Sequence, residues 1–195
     1  MKENVLIIFD FFGVFCIDVA ATWVSAHFSK DDAKMITDTV FVRVDNGELS
    51  LDGFYNEISA LSGIDPGQIK KEWDDSIRLY PGVSDVARKY RERYHTALLT
   101  NASSMMVRGI IDSNNLSDCF DKVIVSSEVK MVKPDVEIFE YVLQAFGISA
   151  DRAIMIDDNI KNIGAAKSLG FSTIHFSPEI DLERELETLF EGLHR

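Results

Sequence analysis

Four short apolar runs in this 195-residue chain are each followed by polar residues: Asp10, Thr100-Asn101, Ser126-Ser127 with Lys133-Pro134 close behind, and Asp157-Asp158. Taken singly, each is most simply a helix cap, and Asp158 or Asn159 and Ser103 or Ser104 stand where caps are expected. Taken together, three carboxylates, a hydroxyl–amide pair and a lysine have a chemistry of their own. Asp10, Asp157 and Asp158 would repel one another unless a cation neutralised them. Hard oxygen ligands at an open, watery site suit Mg²⁺. Thr100, Asn101 and Lys133 add donors and one positive charge for an anion beside that metal. Such a set would hold a phosphoryl group, with Asp10 free to attack it in line.

Positioning these residues requires a sheet. Val5–Phe9, Thr96–Leu99, Lys122–Val125, Ala153–Ile156 and Thr173–Phe176 are almost continuously apolar, the pattern of parallel strands covered on both faces. Amphipathic helices alternate with the later four. One is expected over 134–146, with Pro134 in its first turn and Gly147 as its stop. Another carries Leu182, Leu186, Leu189, Phe190 and Leu193 on one stripe. This alternation predicts a doubly wound parallel α/β sheet, a Rossmann-like core, and in such sheets ligands bind at the C-terminal edge. The first strand breaks the rhythm, because roughly seventy residues precede the next. Asp31–Val44, Ser50–Leu61 and Pro66–Tyr80 read as helices, with stops at Gly47 and Gly63. The expected organisation is an α/β core over residues 1–17 and 81–195, with a small helical cap, residues 18–80, inserted after the first strand.

Composition narrows the function. With 20 basic and 32 acidic residues the formal charge is −12 and the pI is near 4.7. Duplex nucleic acid and anionic membrane surfaces both need a cationic face, so neither is an expected partner. Apolar content of 46% supports one core without staples. Cys16 and Cys119 read as reduced, packed thiols. The run Val5–Ile17 is interrupted by Asp10 and lacks a small-residue cleavage site, and no stretch approaches the ~20 apolar residues of a membrane span. A cytoplasmic protein acting on a small phosphorylated substrate is the expectation. His27, His95, His175 and His194 have no metal-ligand spacing. Trp23 and Trp73 are expected to pack the cap, and Lys130 to be a surface charge.

The segments IIFDFFGV, ALLTNAS, VKPDVEIF and IMIDDNIKNIGAAKSLG resemble, in order and spacing, the four signature motifs of the haloacid dehalogenase-like hydrolase superfamily. The likeness covers about 130 residues. The insertion resembles the helical cap of its first subclass, and Asp-Asn-Gly-Glu-Leu-Ser at 45–50 is similar to a cap segment of its small sugar-phosphate phosphatases. The resemblance implies that Asp10 forms an aspartyl-phosphate, that Thr100 and Asn101 hold the phosphate, and that Lys133 offsets charge. It also implies that Asp157 ligates Mg²⁺, with Asp158 a ligand or its support.

One position departs from the pattern. The usual first motif is Asp-x-Asp, whose second aspartate protonates the leaving alcohol and then deprotonates the attacking water. Here that residue is Phe12, which offers the metal only its backbone carbonyl. General acid–base catalysis contributes roughly 10²–10⁴-fold, about 3–5 kcal/mol. Its loss implies a slow phosphatase rather than an inert one, favouring esters with good leaving groups. Water or a cap carboxylate is the alternative acid, Asp18 being the nearest in sequence. Two other readings stand beside the phosphatase. One is a 2-haloacid dehalogenase, which carries an aromatic residue at this position and needs a cation such as Arg43 for its substrate carboxylate. The other is a non-catalytic phosphate-binding or regulatory protein, since Asp10, Thr100 and Lys133 also resemble the phosphoacceptor set of receiver domains.

Overall fold

The computed structural model describes residues 2–193 and contains one five-stranded parallel sheet. Its strands are β1 (Leu6–Phe9), β2 (His95–Thr100), β3 (Lys122–Val125), β4 (Ala153–Asp157) and β5 (Ser172–His175). Their spatial order is β3-β2-β1-β4-β5. Each boundary lies within one residue of the sequence expectation, because an apolar run buried on both faces ends where polar residues begin. The side chain of Leu193 and residue His194 lie outside those described.

Between β1 and β2 lie α1 (Val19–His27), α2 (Lys30–Ile36), α3 (Val42–Asp45), α4 (Leu51–Ser62) and α5 (Pro66–Ser76). The chain then adds α6 (Val83–Arg91), α7 (Ser104–Ser113), α8 (Ser126–Val129), α9 (Val136–Phe146), α10 (Ile160–Ser168) and α11 (Leu182–Leu193). Four details differ from expectation, one being that the helix expected over Pro66–Tyr80 ends at Ser76. Helix α1 was not anticipated. The helix expected over 31–44 exists, but a π-helical stretch, Thr37–Phe41, joins α2 to α3. Helix α9 starts at Val136 with Asp135 at its N-cap, so Pro134 precedes the helix rather than opening it. Gly47 and Gly63 do stop their helices, at φ +66° and +74°, where glycine has no Cβ penalty.

Alternate residues of β1 face opposite cores. Ile7 and Phe9 join α6, α7 and α11 in one cluster, whereas Leu6 and Ile8 pack with Ile138, Phe139 and Val142 of α9 and Ala166 of α10 in the other. The first cluster continues through Phe11, Val14 and Phe15 into Ile36, Phe54, Ile58, Ile69 and Trp73 of the inserted helices. The chain leaves and re-enters side by side: Ile17 N–H donates to Arg78 O and Tyr80 N–H to Phe15 O, both at 2.9 Å. Cys16 and Cys119 are buried free thiols, and burial pushes both up to about 11, which suppresses thiolate chemistry. No helix among the described residues is long and apolar enough to cross a membrane.

Candidate active site

Strand β1 is central, so the residue after it sits in the crevice where the strand order reverses between β1 and β4. That residue is Asp10, whose N–H donates to Ile156 O at 2.9 Å. Its Oδ1 accepts from Phe11 N–H at 2.7 Å and pairs with Lys133 Nζ at 2.8 Å, leaving Oδ2 without a hydrogen bond among the described residues. Lys133 also reaches Asp157 Oδ2 at 2.7 Å, and its third N–H is uncommitted. Ligand oxygens of Asp10, Asp157 and Asp158 lie within 4.8 Å of one another. The far-separated sequence segments therefore do converge.

The two neighbouring aspartates differ sharply. Asp157 is fully buried, and both its oxygens are engaged. Oδ1 accepts from Asn159 N–H at 2.8 Å and Asn162 Nδ2 at 3.0 Å; Oδ2 accepts from Lys133 and, at 3.0 Å, Asn162. Asp158 is exposed, its carboxylate is held only by its own backbone N–H among the described residues, and it lies directly against Gly13. That glycine has φ +91°, and a Cβ there would collide with the Asp158 carboxylate.

Electrostatics point the same way. Burial pushes the Asp10 carboxyl upward and Asp157 adds repulsion, while Lys133 pulls against both. For Lys133 burial acts downward, yet Asp10 and Asp157 outweigh it and hold the ammonium charged. Burial and Asp157 also raise Asp158. One lysine thus does not neutralise three carboxylates. The Phe12 carbonyl, which accepts no hydrogen bond among the described residues, supplies a further oxygen. Such a set of hard donors fits a Mg²⁺ ion.

Donors on the opposite wall come from the end of β2. Thr100 is buried and lines the cavity, with no side-chain hydrogen bond among the described residues. The Asn101 amide is occupied: Nδ2 donates to Lys133 O and Oδ1 accepts from Lys133 N–H, both at 2.8 Å. Its side chain therefore positions the lysine, leaving its second Nδ2 N–H and its backbone for an anion. Ser126 and Ser127 fasten the same turn, accepting from Ala102 N–H at 3.0 Å and Ser104 N–H at 2.9 Å. Asn159 caps α10 through Lys161 N–H.

Above the carboxylates is a cavity of about 560 Å³, walled by core residues and by Asp18, Phe41, Asp45 and Trp73 of the insertion. Phe12 lines it while packing edge-on to Phe11, centroids 5.1 Å apart. Trp23 packs against Trp73 at 5.9 Å as expected of cap packing, although Trp73 also borders the cavity. Arg43 forms a two-pronged pair with Glu57 at 2.9 Å and does not line the cavity. Three roles escaped the sequence reading: Asn162, inside the fourth motif segment, holds Asp157; Asp45, which opens the segment 45–50, lines the cavity; and Lys130 bonds the insertion. Rather than a free surface charge, Lys130 donates to Asn46 O at 3.1 Å and Gly47 O at 2.9 Å.

Comparison with known proteins agrees with this architecture. A drimenol cyclase of Aspergillus calidoustus is 29% identical over 122 residues, 63% of this chain, but this chain spans only 20% of that protein. D-ribitol-5-phosphate phosphatase of Bacteroides thetaiotaomicron is 27% identical over 167 residues, covering 78% of this chain and 79% of the enzyme. Among solved structures, a HAD family enzyme from the same bacterium, in complex with magnesium and inorganic phosphate, superposes with a TM-score of 0.78 at 24% identity, covering 94% of this chain and 99% of its own. The family model for haloacid dehalogenase-like hydrolases matches residues 6–170, and the chain belongs to that family.

Proposed function

We propose that this hydrolase is a Mg²⁺-dependent phosphatase of small phosphorylated metabolites, working through an aspartyl-phosphate on Asp10 beneath a cap formed by residues 18–80. The observation that carries the reading is the buried bridge Asp10–Lys133–Asp157 at the cavity floor, with the Asp158 carboxylate open beside it. Asp10 attacks phosphorus from the floor. The free N–H of Lys133 and the Thr100 hydroxyl hold the phosphoryl oxygens. Asp10, the Phe12 carbonyl, Asp157 and Asp158 are the residues that would hold Mg²⁺, Asp158 as the open ligand and Asp157 chiefly as the anchor of Lys133. When bound, the ion offsets the negative charge of nucleophile and phosphate. Binding of magnesium and phosphate by a neighbour of the same fold, and a phosphatase among the relatives, support the reading.

A dehalogenase is disfavoured, because Arg43 is committed to Glu57 away from the cavity. Phe12 favours one second reading, a member that binds phosphate with little turnover. Hydrolysis of p-nitrophenyl phosphate decides between them. Activity that requires Mg²⁺ and disappears with EDTA and with Asp10→Asn is the expected result. Phosphate binding by a folded wild type that releases no product would establish the non-catalytic alternative.

A further inference from the structure

We infer that Asp45, on the inserted helices, is the proton donor and acceptor that the first motif lacks. The inference rests on the phosphatase reading above. In-line attack by Asp10 expels the leaving oxygen on the side of the cavity away from β1, toward the insertion, so a substitute acid must hang from that roof. Three carboxylates of the insertion line the cavity: Asp18, Asp38 and Asp45. Asp18 is exposed and caps α1, accepting from Ala21 N–H at 2.9 Å. Asp38 is paired with Lys34 on the outer side. Asp45 has no hydrogen bond or ion pair among the described residues.

Its surroundings suit a carboxyl that carries a proton. Asp45 ends α3, where the outgoing carbonyls disfavour negative charge. Burial pushes it up to about 7, with Asp18 adding to the rise and Lys133 pulling against it. A value near neutrality lets one group give and then take a proton. The group is also held in place. Immediately after it, Lys130 of the core donates to the carbonyls of Asn46 and Gly47, and the absence of a Gly47 side chain is what lets Lys130 and the Ser127 carbonyl approach.

The steps balance. As the Asp10 carboxylate bonds to phosphorus and the ester P–O bond breaks, the Asp45 carboxyl passes its proton to the departing alkoxide, giving the alcohol. The resulting Asp45 carboxylate then takes a proton from water while the water oxygen bonds to phosphorus. The P–O bond to Asp10 breaks, and phosphate leaves with Asp10 ionised and Asp45 protonated again.

The test compares an alkyl phosphate, whose leaving group needs a proton, with p-nitrophenyl phosphate, whose leaving group hardly does. Asp45→Asn is expected to lower kcat/KM for the alkyl ester by about 10²–10⁴, and for the aryl ester by at least tenfold less. Kcat for the aryl ester should also fall, with a pre-steady-state burst as phospho-Asp10 accumulates. Phe12→Asp should recover alkyl-ester activity in the Asp45→Asn background, and gain less in the wild type; that recovery also shows the variant is folded. Equal losses on both esters, or an Asp45→Asn variant as active as wild type on the alkyl ester, overturn the proposal alone. A wild type inert toward both esters with Mg²⁺ present overturns the phosphatase reading and the proposal with it.

Discussion

At the scale of single residues, two adjacent aspartates do different work because one ends a strand and the other begins a loop. Asp157 is the last residue of β4 and points into protein, where Lys133, Asn159 and Asn162 satisfy it. Asp158 faces outward against Gly13. Asp157→Asn removes one of the two carboxylates paired with a buried ammonium; full loss of such pairing costs about 3–5 kcal/mol, so a destabilisation below that, read by urea unfolding, is expected. Asp158→Asn breaks no bond to another residue and keeps an amide oxygen for its own backbone N–H, so its stability should hold while Mg²⁺ affinity falls at least tenfold by calorimetry. The opposite pattern would reverse the two assignments. The sequence displays the doublet plainly, but which member is buried depends on where β4 stops, a matter of one residue. The same limit hid the commitment of Asn101 to the Lys133 backbone, since a carboxamide after a strand reads identically whether it meets a ligand or a main chain.

Among elements, legibility follows the range of the determining contacts. The strands are readable because double-sided burial demands unbroken apolar runs. Helix α1 is not, since it follows the apolar stretch through Ile17 and is defined by a cap at Asp18 rather than by a clean stripe. The docking of the insertion is least readable of all: Lys130 finds backbone carbonyls, which have no signature in sequence. This joint between α8 and the end of α3 can be tested directly. Gly47→Ala places a side chain at φ +66° and against Lys130, a conformation costing about 1–2 kcal/mol for an L-residue. The insertion should then lift from the core. Faster limited proteolysis within residues 18–80, with the sheet core left intact, is the expected readout; an unchanged digestion pattern would mean that Lys130 is not what holds this end down.

For the molecule as a whole, the site stores charge that folding alone does not neutralise. Asp10, Asp45 and Asp158 all have folded pKa values above their ordinary one of 3.8. Between that value and the raised one, the folded state keeps protons that the unfolded chain releases. Metal-free stability should therefore fall as pH rises from about 4, through about 7, where Asp45 titrates, to about 8, the value reached by Asp10. Asp45→Asn should flatten that slope, whether or not metal is bound at the neighbouring carboxylates. On the proposed function Mg²⁺ should act in the other sense, because it would bind the ionised carboxylates of the native site and not the dispersed ones of the unfolded chain. At a hundred times its dissociation constant, a ligand specific for the native state adds about 2.7 kcal/mol, or a rise in Tm of roughly 5–11 °C for a chain of this size. The increment should be larger at pH 8 than at pH 5, where protons compete for the same oxygens, and should shrink sharply in Asp158→Asn. Thermal melts with Mg²⁺ or EDTA at both pH values measure it, and an increment independent of both pH and Asp158 would place the ion somewhere other than beside Asp10.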